Sequence, residues 1–167
     1  MDMTLTRRYA LGFGALAAAL PLAWKFGGPA DAAPVTSRYA VTLTPAQWKA
    51  RLSPAAFAVL RQASTERPFS SPLNDEHRAG TFKCAGCAQP VFDASTKFDS
   101  HTGWPIFFRP LPKAVATTTD RELLMERTEV HCSRCGGHLG HVFDDGPQPT
   151  GLRYCMNGVA MTFAAKA

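Results

Sequence analysis

The pattern of apolar and polar positions changes character twice along the chain. From Leu11 to Ala23 almost every residue is apolar, with breaks only at Gly12, Gly14 and Pro21. From Thr44 onward the apolar positions take helical spacing. Thr44-Pro45 followed by Gln47 reads as an N-cap, a proline at the first helical position and a capping-box partner. Trp48 and Leu52 then share a face at i, i+4. Ser53-Pro54 repeats the start signal, which predicts a second helix through Phe57 and Leu60 to about Ala63.

After Pro68 the apolar runs become short, rich in Val, Phe, Thr and Tyr, and are punctuated by Gly, Pro and Asp. This texture predicts strands at Thr81–Lys83, Ile106–Arg109, Val115–Thr118, Leu124–His131, His141–Phe143, Arg153–Asn157 and Ala160–Phe163. In the longest, Leu124, Glu126, Thr128 and Val130 fall on one face, with Met125, Arg127, Glu129 and His131 on the other. Strands do not alternate with helices here, so a parallel doubly wound sheet is not expected. The pattern predicts an antiparallel β domain preceded by two helices.

The first apolar stretch has a different meaning. It follows the paired Arg7-Arg8 and ends near the small residues Ala30-Asp31-Ala32. A basic start, a short apolar core and a small-residue exit describe a secretory signal. The core of about 13 residues is short of the roughly 20 a spanning helix needs. Paired arginines point to twin-arginine export, a route that carries folded proteins. The organisation predicted is a signal peptide over 1–32, a flexible mature N-terminus over 33–42 and one domain over 43–167. The expected location is the periplasm or beyond, with a membrane anchor if the signal is not cleaved.

Charge adds little. The formal net charge is +5, and setting aside Arg7, Arg8 and Lys25 against Asp2 and Asp31 lowers it by one. The basic residues are scattered, which argues against a nucleic-acid partner. Nothing in the chain calls for an obligate dimer, so a monomer is expected.

Cysteine changes the picture most. Four of the five cysteines form two C-x-x-C pairs, Cys84/Cys87 and Cys132/Cys135. Two such knuckles on separate segments supply the four thiolates of a tetrahedral structural zinc. Redox-active dithiols or two local disulfides are the other readings of such pairs. Neither pair opens a helix in a βαβ unit, as a thioredoxin-like site would require. His138, three residues past Cys135, is a further candidate ligand. The fifth cysteine, Cys155, stands alone in Arg153-Tyr154-Cys155-Met156-Asn157. A lone cysteine is by itself a small buried hydrophobe. Here, however, His138-Leu139-Gly140-His141 precedes it by a span suited to an antiparallel return, with Asp144-Asp145-Gly146-Pro147 as the turn. Such a hairpin would set an imidazole beside the sulfur, and Arg153 or a protonated histidine would favour the nucleophilic thiolate.

With these motifs in order, the chain resembles the methionine sulfoxide reductase B family, which reduces the R epimer of methionine sulfoxide. The resemblance runs from about Leu43 to Phe163. It includes Thr65-Glu66-Arg67-Pro68-Phe69, both knuckles, Thr102-Gly103-Trp104-Pro105, Arg127-Thr128-Glu129-Val130, His138-Leu139-Gly140-His141-Val142-Phe143 and Arg153-Tyr154-Cys155-Met156-Asn157. It implies a mainly β fold: two antiparallel sheets forming a β-barrel-like domain, with N-terminal helices and a structural zinc remote from the catalytic pocket. It implies that Cys155 attacks the sulfoxide sulfur and becomes a sulfenic acid. His141 would supply the proton, with His138 beside it, while Asn157, Arg153 and Asp145 organise the pocket and Trp104 walls the substrate methyl. The implied substrates are oxidised proteins or free methionine-R-sulfoxide.

Two positions depart from the family pattern. Thr102 stands where many members carry a resolving cysteine, so recycling is expected from an external thiol reductant, such as a thiol donor protein. Ile106 stands where serine is usual after Trp-Pro, a change able to alter the pocket's rim. The competing readings are a non-catalytic zinc-ribbon binding module, which would release no methionine from its sulfoxide, and a thiol–disulfide oxidoreductase.

Overall fold

The computed structural model describes residues 38–121 and 126–167. The expected signal at 1–32 and the residues Leu124 and Met125 of the longest expected strand lie outside the described residues. Among the described residues, no helix is long and apolar enough to cross a membrane.

Both helices form where local signals place them. Helix α1 spans Pro45–Arg51 and α2 spans Pro54–Gln62. Thr44 Oγ1 accepts the Gln47 N–H at 3.3 Å, and Gln47 Oε1 accepts the Thr44 N–H at 2.9 Å, closing the capping box. Ser53 Oγ accepts the Ala56 N–H at 3.2 Å and caps α2. Helix α1 buries Trp48, and α2 buries Ala56, Val59 and Leu60. The Arg61 guanidinium lies 4.8 Å from the Trp48 ring centroid and donates to the Cys135 carbonyl at 3.0 Å, tying α2 to the second knuckle. The described part of the stretch before α1 makes contacts with the second knuckle. The Val41 N–H donates to the Arg134 carbonyl at 3.0 Å, and the Tyr39 ring lies against Gly136.

Among the described residues there are nine strands: β1 Gly80–Cys84, β2 Pro90–Asp93, β3 Lys97–Phe98, β4 Ile106–Phe107, β5 Val115–Asp120, β6 Arg127–Cys132, β7 His138–Phe143, β8 Arg153–Met156 and β9 Met161–Ala165. They form a three-stranded sheet in the order β2-β1-β9 and a six-stranded sheet in the order β3-β4-β8-β7-β6-β5. Every pairing is antiparallel. Neither sheet closes on itself, so the expectation of a β-barrel-like domain is overturned. Closure requires the first and last strands to pair. In the larger sheet β3 has only two residues and β5 lies at the opposite edge, so a barrel seam has no partner.

The core lies between the sheets. Phe107 of the large sheet stacks on Phe92 of the small one at 4.3 Å between centroids and meets the edge of Phe82 at 4.9 Å. All three are fully buried. Alternation along the strands then decides what faces the core and what faces away. Phe107, Tyr154 and Val142 pair across β4, β8 and β7 and pack on the core. One residue along, Ile106, Cys155, His141 and Glu129 form a second cross-strand row over β4, β8, β7 and β6. Directly opposite residues project to the same face, so this row assembles chemistry on the side turned from the core. After β8 the chain crosses to the small sheet through a single 3₁₀ turn at Gly158–Ala160 and enters β9.

Candidate active site and zinc centre

The four knuckle cysteines are buried, and their sulfurs all lie within 4.8 Å of one another. The Sγ–Sγ separations are 3.7 Å for Cys84–Cys135 and 3.6 Å for Cys87–Cys132. A tetrahedral zinc with Zn–S bonds of about 2.3 Å has sulfur–sulfur edges of about 3.8 Å, whereas a disulfide brings the sulfurs to about 2.05 Å. The spacing fits the metal and excludes bridges.

The two knuckles are built alike. In the first, the Ala88 N–H donates to the Cys84 carbonyl at 2.8 Å; in the second, the Gly136 N–H donates to the Cys132 carbonyl at 2.8 Å. Ala88 and Gly136 both take positive φ, 58° and 66°, which turns each chain back around its sulfurs. His138 is not part of the cluster. Its Nδ1 is 2.8 Å from Glu129 Oε1 instead.

Cys155 opens onto a different cavity, of about 220 Å³, and none of the four knuckle cysteines lines it. The thiol shares this cavity with His141, Trp104, Arg153, Asn157 and Thr102. Cys155 and His141 are direct cross-strand partners, the adjacency that the hairpin reading anticipates. Their backbones approach closely: a Cβ on Gly140 would lie 2.1 Å from the Cys155 carbonyl oxygen.

His141 is held from behind. Its Nε2 lies 2.9 Å from Asp120 Oδ2, and the same oxygen takes the Arg127 Nη2–H at 2.7 Å. With a carboxylate as acceptor, Nε2 carries the proton and Nδ1 keeps its lone pair. Burial pushes the His141 pKa down; the Asp120 hydrogen bond opposes this, while Arg127 and His138 reinforce it. The resting imidazole is therefore neutral at pH 7.

His138 does not line the Cys155 cavity. Its ring centroid is 5.4 Å from that of His141, and it faces a separate polar cavity of about 310 Å³ shared with Asp120, Glu129 and Arg127. Its Nε2 is buried without a hydrogen-bond partner.

The other expected site residues fall into place unequally. Arg153 and Asp145 form a bidentate pair, Nε to Oδ1 at 2.7 Å and Nη2 to Oδ2 at 2.8 Å. The guanidinium holds the Asp145 carboxyl below its usual range and also lies 4.4 Å from the centroid of the Phe143 ring. Arg153 does not make Cys155 a resting thiolate. Burial dominates and pushes the thiol up to about 11; Arg153 lowers it, Asp145 and Glu66 raise it, and the Thr102 hydroxyl lowers it. Asn157 is used as a brace. Its Nδ2–H donates to the Leu139 carbonyl at 3.1 Å, and its Oδ1 accepts the Glu66 N–H at 3.0 Å. Trp104 lines the cavity and donates its Nε1–H to the Glu66 carbonyl at 3.2 Å. Ile106 does not line the Cys155 cavity. It is fully buried and pairs with Cys155 on the side away from His141.

Sequence reasoning gave no role to Asp120 and treated Glu129 only as part of a motif. Asp120 reaches His141 through the β5–β6 pairing, Asp120 opposite Arg127, and no local spacing announces it.

The arrangement is that of a thiol enzyme: one cysteine outside the four-cysteine cluster sits beside a histidine–carboxylate pair, and the cluster that fits zinc lies elsewhere. Residues 52–165 match the SelR domain family. Proteins named peptide methionine sulfoxide reductase MsrB are similar over most of their length. The one from Thiobacillus denitrificans is 52% identical over 124 residues, covering 74% of this chain and 94% of its own. That from Bradyrhizobium diazoefficiens is 49% identical over 140 residues, covering 81% and 99%. That from Methanosarcina mazei is 50% identical over 117 residues, covering 70% and 84%. The chain belongs to the methionine sulfoxide reductase B family.

Two predictions follow from the geometry. Cys132→Ser removes one corner of the zinc tetrahedron, so colorimetric zinc release should fall from one equivalent per chain towards zero, with loss of cooperative thermal unfolding. A folded, metal-free variant would contradict a structural zinc. For the thiol, a pKa of about 11 means that the thiolate fraction climbs roughly tenfold per pH unit up to that point. The iodoacetamide rate at Cys155 should still be rising between pH 9 and 10, where an ordinary thiol of pKa about 8.5 has levelled off.

Proposed function

We propose that this protein reduces methionine-R-sulfoxide, free or within oxidised proteins, to methionine, using Cys155 as nucleophile and an external thiol as reductant. The observation that carries the assignment of roles is the Ile106–Cys155–His141–Glu129 row, which sets the one non-zinc cysteine beside a carboxylate-bound imidazole. In the resting site both partners are neutral. The His141 Nδ1 lone pair takes the Cys155 thiol proton as the sulfur attacks, and Asp120 stabilises the imidazolium that forms. His141 then returns the proton to the sulfoxide oxygen as the substrate S–O bond breaks. The oxygen passes to Cys155, which becomes a sulfenic acid, and methionine leaves. The substrate sulfur gains the two electrons that the Cys155 sulfur loses, and this half-reaction consumes no net proton. The rigid face of Trp104 walls the S-methyl group and selects one epimer.

The second half-reaction needs two external thiol equivalents. They reduce the sulfenic acid to thiol and water and leave as a disulfide. Thr102 offers a hydroxyl, 2.9 Å from Ser100 Oγ, in place of a second sulfur, and the remaining cysteines fit zinc. Export through the twin-arginine route would let the domain fold and load zinc before it meets an oxidising compartment, where oxidised methionine accumulates in other proteins.

The reading is tested in a single turnover without reductant. Methionine-R-sulfoxide should yield one methionine and one trapped sulfenic-acid adduct on Cys155 with zinc retained, and the S epimer should yield neither. A disulfide between Cys155 and a knuckle cysteine, with zinc released, would overturn the recycling scheme. In the same assay His141→Ala should slow the chemical step on the order of 10²-fold; an unchanged rate would remove His141 from proton transfer.

A further inference from the structure

The segment before Phe69 carries a carboxylate that the mechanism does not use. Glu66 lies between two cavities: its backbone bonds Trp104 and Asn157, which line the Cys155 cavity, and its carboxylate bonds Gly158 and Val159, which with Glu66 line the neighbouring one. Its N–H donates to Asn157 Oδ1 at 3.0 Å, and its carbonyl accepts the Trp104 Nε1–H at 3.2 Å. Its Oε1 accepts the Gly158 N–H at 2.6 Å, and its Oε2 accepts the Val159 N–H at 2.9 Å.

The last two bonds have a local cause. The 3₁₀ turn Gly158–Ala160 begins at Asn157, whose side chain makes no capping bond because it is committed to Leu139 and Glu66. The first N–H groups of the turn are thus left without a partner from their own segment. A carboxylate from 92 and 93 residues away in sequence supplies both bonds. Contact is close enough that a Cβ on Gly158 would lie 2.0 Å from Ser71 Oγ and 3.3 Å from Glu66 Oε1.

We propose that Glu66 is a positioning residue that locks the Trp104 wall to the end of the thiol-bearing strand β8, and so fixes the width of the substrate cavity. The idea rests on the reductase reading for its kinetic consequences but not for its geometry. Through its backbone Glu66 holds Trp104 and Asn157; through its carboxylate it holds the turn that follows Asn157. One residue therefore joins both sides of the cavity, where two independent contacts could drift apart. Its carboxylate does not line the Cys155 cavity, but with Asp145 it raises the thiol pKa through space, against Arg153 and the Thr102 hydroxyl, while His141 on β7 and Arg127 on β6 complete the cavity wall.

The test uses full-length, zinc-loaded protein. Glu66→Gln is isosteric, but it turns an amide donor towards a backbone N–H and removes the charge. Its KM for methionine-R-sulfoxide should rise about tenfold, while zinc stays at one equivalent. Its Cys155 alkylation should become about threefold faster at pH 8, because a negative charge that disfavours thiolate has gone. That rate should still climb above pH 9. Glu66→Ala exposes the two N–H groups beside a neighbouring cavity of about 580 Å³ that Gly158 and Val159 help to line; added sodium formate should recover KM, and sodium chloride at the same ionic strength should not. Wild-type KM and an unshifted alkylation profile in Glu66→Gln would overturn the proposal. So would zinc loss with an alkylation rate that levels off near pH 9, since Glu66 would then hold the fold and not the cavity. If the wild-type protein fails to reduce the sulfoxide, the reductase reading fails separately, and the clamp is then decided by calorimetric affinity for methionine-R-sulfoxide, which Glu66→Gln should weaken; an unchanged affinity would overturn the clamp.

Discussion

The tetrathiolate centre is the constraint on which the rest of the structure depends. Cys84 ends β1 in the small sheet, and Cys132 ends β6 in the large one. A metal held by both spans the two layers at one point, and ligand binding free energy becomes folding free energy. Beside it, the two open sheets are joined by the apolar core, in which Phe82, Phe92 and Phe107 make the central aromatic contact. The first knuckle also reaches the catalytic side: the Ala85 N–H donates to the Ala160 carbonyl at 2.9 Å, at the end of the turn that follows Asn157. The metal thus steadies the pocket without lining it.

The electrostatics of that pocket run against the simplest expectation for a nucleophilic cysteine. A neighbouring arginine ordinarily favours thiolate. Here Arg153 is engaged by Asp145 through both ends of its fork, and burial of the sulfur outweighs what attraction remains. The same burial keeps His141 neutral. A neutral thiol and a neutral imidazole side by side suit the proposed reaction, in which one proton passes from sulfur through the imidazole to the sulfoxide oxygen.

What the sequence revealed, and what it withheld, follows the range of each interaction. The helices were legible because Thr44, Gln47 and Ser53 make their capping bonds within three residues. The zinc ligands were legible because two-residue spacing is itself the geometry of a knuckle. The Cys155–His141 pair was legible because one hairpin joins them. β3, two residues long, and β2, which opens on a proline, carry too little pattern to be seen. Asp120 and Glu66 act across strands or across some 90 residues of chain, so only register and tertiary packing reveal them. Sheet closure was misjudged for the same reason: antiparallel strands are written locally, but whether the edges meet is not. Ile106, the second departure from the family pattern, is buried beside Cys155 and outside the cavity lining, a placement that strand register and not local sequence decides.

The close passage of β7 against β8 at Gly140 has a consequence for how this protein would look in a mutational scan. The position contributes no functional group to the cavity, yet any side chain there meets the Cys155 carbonyl at 2.1 Å, a rigid backbone atom that cannot swing aside. Substitution must displace the strand that carries Cys155. An activity screen would therefore rank a bare hydrogen alongside the reacting residues, and purely steric exclusion would be read as chemistry.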